Sequence, residues 1–152
     1  IRSDSKESYL LIDPKTGNVV YRQTGDEMST GIIPEHVLNQ AGENIIMHNH
    51  PSDISFSAGD LNMIAKYPPQ KDVIVTPGAT YILAPKDGNN WPSTREFGRA
   101  YSELSGKVAN RFPNFSQHGT PDGSQVWTDY THALMQEISK ELNLNYERIP
   151  KG

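Results

Sequence analysis

Apolar positions along the chain fall into short runs and helical stripes, separated by polar segments that carry Pro and Gly. Ser8 to Ile12 (Ser-Tyr-Leu-Leu-Ile) and Val19 to Gln23 (Val-Val-Tyr-Arg-Gln) favour strands, and Asp13-Pro14-Lys15-Thr16-Gly17-Asn18 between them suits a turn, so a β-hairpin is predicted. A polar loop follows over Gly25 to Gly31. Ile33-Pro34-Glu35-His36-Val37-Leu38 then opens a short helix, with Pro at a tolerated first-turn position and Gly42 placed to end it. Asn44-Ile45-Ile46-Met47 has the continuous apolar character of a buried strand. Ala58 to Lys66 is helical in pattern, with Leu61, Ile64 and Ala65 on one face, and Pro68-Pro69 stops it. Asp72 to Thr76 and Thr80 to Ala84 make two more strands around Pro77-Gly78, which gives the order ββαβαββ.

The remainder is helical in pattern. Ser93-Thr94-Arg95-Glu96 reads as a capping box, and Phe97, Tyr101, Leu104, Val108 and Phe112 recur at helical spacing up to the residue before Pro113. Asn114 to Ser124 is turn-rich and contains His118. Tyr130, Leu134, Ile138 and Leu142 place a second helix over about Val126 to Leu142, and Tyr146 to Ile149 is a short strand or ordered tail. The fold class expected is α/β: a mixed central sheet flanked by helices, with two additional C-terminal helices.

Length and composition narrow the picture. The 152 residues suit one domain, 1–152, with no room for a second independent core. The hydrophobic share of 35% and the charged share of 21% are those of a polar globular chain, and no apolar run approaches the roughly 20 residues of a membrane span. The formal net charge of -4 and the lack of a Lys/Arg run give no footprint for nucleic acid. Cysteine is absent, so a metal must be held by His, Asp, Glu and water. The chain begins at Ile1 without a basic-then-apolar leader and reads as a domain of a longer polypeptide or a processed product.

The candidate chemistry lies in His48-Asn49-His50-Pro51-Ser52-Asp53-Ile54-Ser55-Phe56-Ser57-Ala58-Gly59-Asp60. Histidines at i and i+2 point to one side of an extended segment, so His48 and His50 can grip one ion. Asp60 is the natural third ligand, which leaves a fourth tetrahedral position for water, the open arrangement of a catalytic zinc site. Ser57 also reads as an N-cap with Asp60 completing the cap, and the two readings are compatible. Asn49 points away from the histidines and serves structure. His36 is a weak candidate for the rim, while His118 and His132 read as structural or exposed. Glu7, at the start of the first hairpin, is by itself only a flanking charge.

Together these parts resemble a JAMM/MPN-type zinc metallopeptidase, in particular the RadC-like bacterial and phage branch. That family carries an early Glu, then His-x-His-Pro, then Ser-x-x-Asp at a helix start, which here are Glu7, His48-Asn49-His50-Pro51 and Ser57-Ala58-Gly59-Asp60. The string His-Asn-His-Pro-Ser and the Glu before Tyr9-Leu10-Leu11-Ile12-Asp13 are typical of the branch, and the similarity runs from Glu7 to about Ala84. One departure stands out: six residues separate His50 from Ser57, one fewer than is usual, which makes Asp53 the runner-up third ligand. The resemblance implies Zn²⁺ on His48, His50 and Asp60, Glu7 as general base, Ser57 as donor to the oxyanion, and a peptide or protein substrate. It implies the layering of cytidine deaminases and MPN domains, and divides the chain into a metal-site core over 7–84 and a helical extension over 93–152. The alternatives are a non-catalytic MPN-like module, or a C-terminal phage or toxin domain using the same site. An HNH-type nuclease is disfavoured, because its residues are spread over a ββα unit and the chain lacks phosphate-binding charge.

Overall fold

The Asp13–Asn18 turn closes through Asp13 N–H to Asn18 C=O at 2.9 Å and Gly17 N–H to Asp13 C=O at 2.7 Å, with Gly17 at φ +74°, a left-handed conformation that suits a residue without Cβ. The hairpin it joins, β1 (Ser8–Ile12) and β2 (Val19–Thr24), forms one edge of a six-stranded sheet. The structure, a computed structural model, describes residues 6–25, 31–112 and 121–152, of which the side chains of 121–124 are outside the description. The expected loops over Gly25 to Gly31 and Asn114 to Ser124 fall largely outside the described residues, and so does His118.

The other elements are α1 (Glu35–Leu38), a 3-10 turn (Ala41–Glu43), β3 (Ile45–Asn49), α2 (Ala58–Lys66), β4 (Lys71–Val75), β5 (Ala79–Pro85), α3 (Thr94–Ala109), α4 (Pro121–Glu141) and β6 (Leu144–Pro150). Strands run in the order β2-β1-β3-β4-β5-β6, with β3 and β4 parallel and every other pair antiparallel. This is the mixed α/β sheet flanked by helices that the pattern predicts. The C-terminal extension contributes two helices and also an edge strand.

Several boundaries differ from expectation for local reasons. The first helix is one turn long, because Asn44 Nδ2–H donates to Gln40 C=O at 2.8 Å and i→i−3 bonds tighten the chain into the 3-10 turn around Gly42. Helix α3 stops at Ala109, since Arg111 and Phe112 make i→i−3 bonds to Val108 and Ala109 and the residue before Pro113 is turned away from helical geometry. Helix α4 begins at Pro121, inside the segment expected to be loop; proline is tolerated in a first turn, where its missing N–H has no partner to lose. Both predicted caps form as capping boxes, Ser57 with Asp60 and Ser93 with Glu96.

Strand alternation puts Tyr9, Leu11, Ile46, His48, Asp72, Ile74, Tyr81 and Leu83 on one face. Buried side chains of the helices pack there in two clusters. Val37 and Ala41 join Tyr9, Leu11 and Ile46; Leu61, Ile64, Phe97, Val108, Leu134 and Ile138 join Ile74, Tyr81 and Leu83. Among the described residues no helix is long and apolar enough to cross a membrane.

At the turn between β4 and β5 the backbone of Gly78 approaches Asp53 so closely that a Cβ there would lie 2.2 Å from Oδ2. Gly78→Ala must displace a carboxylate that Thr76 and Tyr81 hold, at a cost of about 1–3 kcal/mol by the usual scale of overpacking. The expected result is a thermal midpoint lower by roughly 2–10 °C. An unchanged midpoint contradicts this packing.

Candidate metal centre

Period-2 alternation survives past the end of β3, because His50 N–H bonds to Val75 C=O at 3.0 Å and prolongs the pairing with β4 by one residue. His48 and His50 therefore share a side, their ring centroids 5.2 Å apart and inclined at 73°. Both rings are buried. His50 Nδ1 lies 3.0 Å from Ile54 C=O; only a protonated nitrogen can face a carbonyl at that distance, so this assignment makes Nδ1 the donor and leaves the lone pair of the neutral ring on Nε2.

Asp60 reaches the pair through the start of α2. Its backbone N–H donates to Ser57 Oγ at 3.1 Å, and Ser57 N–H donates to its Oδ2 at 2.8 Å, which fixes the carboxylate. The same Oδ2 lies 3.3 Å from His50 Nε2. Two ligands about 2.0–2.1 Å from one ion at a tetrahedral angle stand roughly 3.3 Å apart, so the pair is spaced like one edge of a ligand tetrahedron. Ligand atoms of His48, His50 and half-buried Asp60 all lie within 4.8 Å of one another, and the group can hold a metal ion. Asp53 is elsewhere, its Oδ1 accepting from Thr76 Oγ1 at 2.6 Å and Tyr81 Oη at 3.3 Å. Capping and metal-ligand geometry are thus compatible in Asp60, as the spacing suggests, while the described contact of the exposed Ser57 hydroxyl is the cap.

Glu7 lies 41 residues before His48 in the sequence yet lines the same cavity, of about 390 Å³, with His48, Asp60, Tyr9, Ile46 and Met63. Asn49, fully buried, explains how. Its Oδ1 accepts from Ser8 N–H and its Nδ2 donates to Lys6 C=O at 2.7 Å, so the residue between the two histidines grips the backbone on both sides of Glu7. His36 is exposed on α1, and half-buried His132 bonds through Nδ1 to Tyr146 Oη at 2.9 Å.

Asp72 belongs to the site and was not among the sequence candidates. It is the second residue of β4, in register with Ile46, is 3% exposed, lines the cavity, and sets its Oδ1 2.9 Å from His48 Nε2. A carboxylate behind a ligand histidine is the usual outer partner in metal sites, where it fixes tautomer and ring orientation. The signal available in the sequence is one acid opening the otherwise apolar run Asp-Val-Ile-Val, but the register that faces it toward His48 is not local information.

Compared with protein families, curated proteins and solved structures, the chain matches none.

Burial alone would lower the pKa of His48, but the charge and hydrogen bond of Asp72, helped by Asp60 and Glu7, outweigh it and raise it to about 9. Burial pushes Asp72 up against the opposing pull of His48. For Asp60 burial acts upward too, yet the His50 bond, the charges of both histidines and the Ser57 N–H hold it below the ordinary carboxylate range. In the metal-free chain, then, His48 stands above its ordinary 6.5, so the stability it contributes is complete below pH 6.5 and is lost as pH rises toward 9. Asp60 contributes in the opposite sense: its share is present above the ordinary carboxylate value and lost on acidification below it. Urea denaturation of the metal-free chain should show stability falling as pH rises from 6.5 toward 9. A flat or rising profile there contradicts the pairing of His48 with Asp72.

Proposed function

We propose that the chain is a zinc-dependent metallohydrolase that cleaves an amide bond in a peptide or protein, a peptidase or isopeptidase of the JAMM/MPN type. The observation that carries this reading is the convergence of Glu7 on the cavity that His48 and Asp60 line, with His50 Nε2 3.3 Å from the Asp60 carboxylate. A metal group alone fits many proteins; a further carboxylate beside it, brought from the segment that enters β1 and held through the backbone of its two neighbours, fits hydrolysis. Two imidazoles and one carboxylate form a donor set suited to zinc, with three protein ligands and an open position. Zinc held there would supply a water acidified to a pKa of about 7 and would polarise the amide carbonyl.

The chain's own groups do the rest. Glu7 accepts the proton of the attacking water and returns it to the amide nitrogen as the C–N bond breaks, so that neutral amine leaves. Ser57 accepts from Asp60 N–H, which leaves its hydroxyl proton to donate to the carbonyl oxygen as negative charge grows there; removal of such donors costs on the order of 3 kcal/mol elsewhere. His50, with Nδ1 engaged by Ile54, keeps Nε2 for the ion. Apolar Ile33, Leu38, Ile46 and Met63 along the cavity limit competing water around the substrate.

Glu7→Gln separates binding from chemistry. The variant should retain one zinc per chain while cleavage of a mixed peptide library, read by mass spectrometry, falls by about 10²–10⁴. Cleavage at the unaltered rate removes Glu7 as base. Zinc binding without cleavage in the unsubstituted chain favours the non-catalytic module instead.

A further inference from the structure

The second half of the chain carries no part of the Glu, His-x-His-Pro and Ser-x-x-Asp pattern, yet its side chains converge on the six residues between His50 and Ser57. Ser55 N–H donates to Thr131 Oγ1 of α4 at 3.1 Å. The buried Ser55 hydroxyl lies 2.8 Å from Tyr146 Oη of β6, which is 2.9 Å from His132 Nδ1 of α4. Two residues earlier, Asp53 Oδ1 accepts from Tyr81 Oη, and Arg148 Nε of β6 donates to that same hydroxyl at 3.2 Å. Between the anchored residues 53 and 55 sits Ile54, whose carbonyl accepts the His50 Nδ1–H.

We propose that α4 and β6 are working parts of the metal centre, with Tyr146 a positioning residue that acts through Ser55 and the Ile54 carbonyl to orient His50. The inference rests on the reading that His48, His50 and Asp60 hold zinc. Three physical points support it. A ligand histidine depends on the partner of its other nitrogen for tautomer and orientation, and loss of such an outer partner typically costs 10–100-fold in metal affinity. Here that partner is a backbone carbonyl in a loop, which has no rigidity of its own unless its neighbours are tied down. The loop is tied by directional polar bonds to elements far along the chain, and one of these, Ser55 to Tyr146, is largely sheltered from solvent.

The packing and positioning roles of Tyr146 are separable. Its ring packs edge-on against Phe56 and stacks with Tyr81, and Tyr146→Phe preserves both contacts while deleting only the hydroxyl. Zinc affinity measured by competition with a chromophoric chelator should fall about tenfold in Tyr146→Phe and in Ser55→Ala. The double variant should be little worse than either single one, because both remove the same bond. The visible spectrum of the Co²⁺-loaded chain should change in all three, a signature of altered ligand orientation that a merely structural role would not move at temperatures well below the thermal midpoint. Zinc affinity and Co²⁺ spectrum equal to those of the unsubstituted chain in both single variants overturn this inference and leave the metal site standing. Failure of the unsubstituted chain to bind zinc overturns the metal reading, and this inference with it.

Discussion

The antiparallel pairing of β1 with β3 is the constraint on which the rest of the site depends. It sets Tyr9 opposite His48, and at its open end the Asn49 side chain replaces the next rungs of the ladder by bonding Lys6 C=O and Ser8 N–H. One buried amide therefore couples the strand that carries both histidines to the segment that carries Glu7. Slippage by one residue would turn His48 and Tyr9 to the opposite face, so the register is held by the same burial that makes the core. The candidate base and the candidate ligands are joined through backbone geometry, with no flexible linker between them.

Around this seam the parts of the fold and the parts of the site are largely the same atoms. The capping box that starts α2 also fixes the Asp60 carboxylate beside His50. The parallel β3–β4 pairing that extends the sheet also brings Asp72 behind His48. Glu7, Asp60 and Asp72 line one cavity with His48, and in a metal-free chain this concentration of carboxylates favours the protonated form of His48. A divalent cation relieves it better, and its ligand histidines must then be neutral, so metal binding and proton release are coupled.

Legibility in the sequence followed the range of the interaction. The hairpin, the extent of α2, both capping boxes and the shared side of His48 and His50 depend on neighbours within a few residues, and periodicity and spacing display them. Asn49 could be assigned to structure because it alternates with the histidines, but its partners Lys6 and Ser8 lie more than 40 residues away and appear only in the fold. Asp72 was missed for the same reason: a single acid at a strand start looks like a flank until the parallel register is known. The resemblance ends near Ala84, so Tyr146, His132 and Arg148 lay where only periodicity was legible, and periodicity does not show which side chains bond across the fold. Gly78 and Asp53, which meet across the loop before Ser57, belong to this class as well.

X-ray absorption at the zinc edge of the loaded chain can establish whether His48, His50 and Asp60 hold one ion with an open position. The expected result is one zinc per chain, a four-coordinate shell of two imidazole nitrogens and two oxygens at about 2.0–2.2 Å, and loss of one imidazole from that shell in His50→Ala. A shell without imidazole scattering, or one identical in His50→Ala, would contradict it.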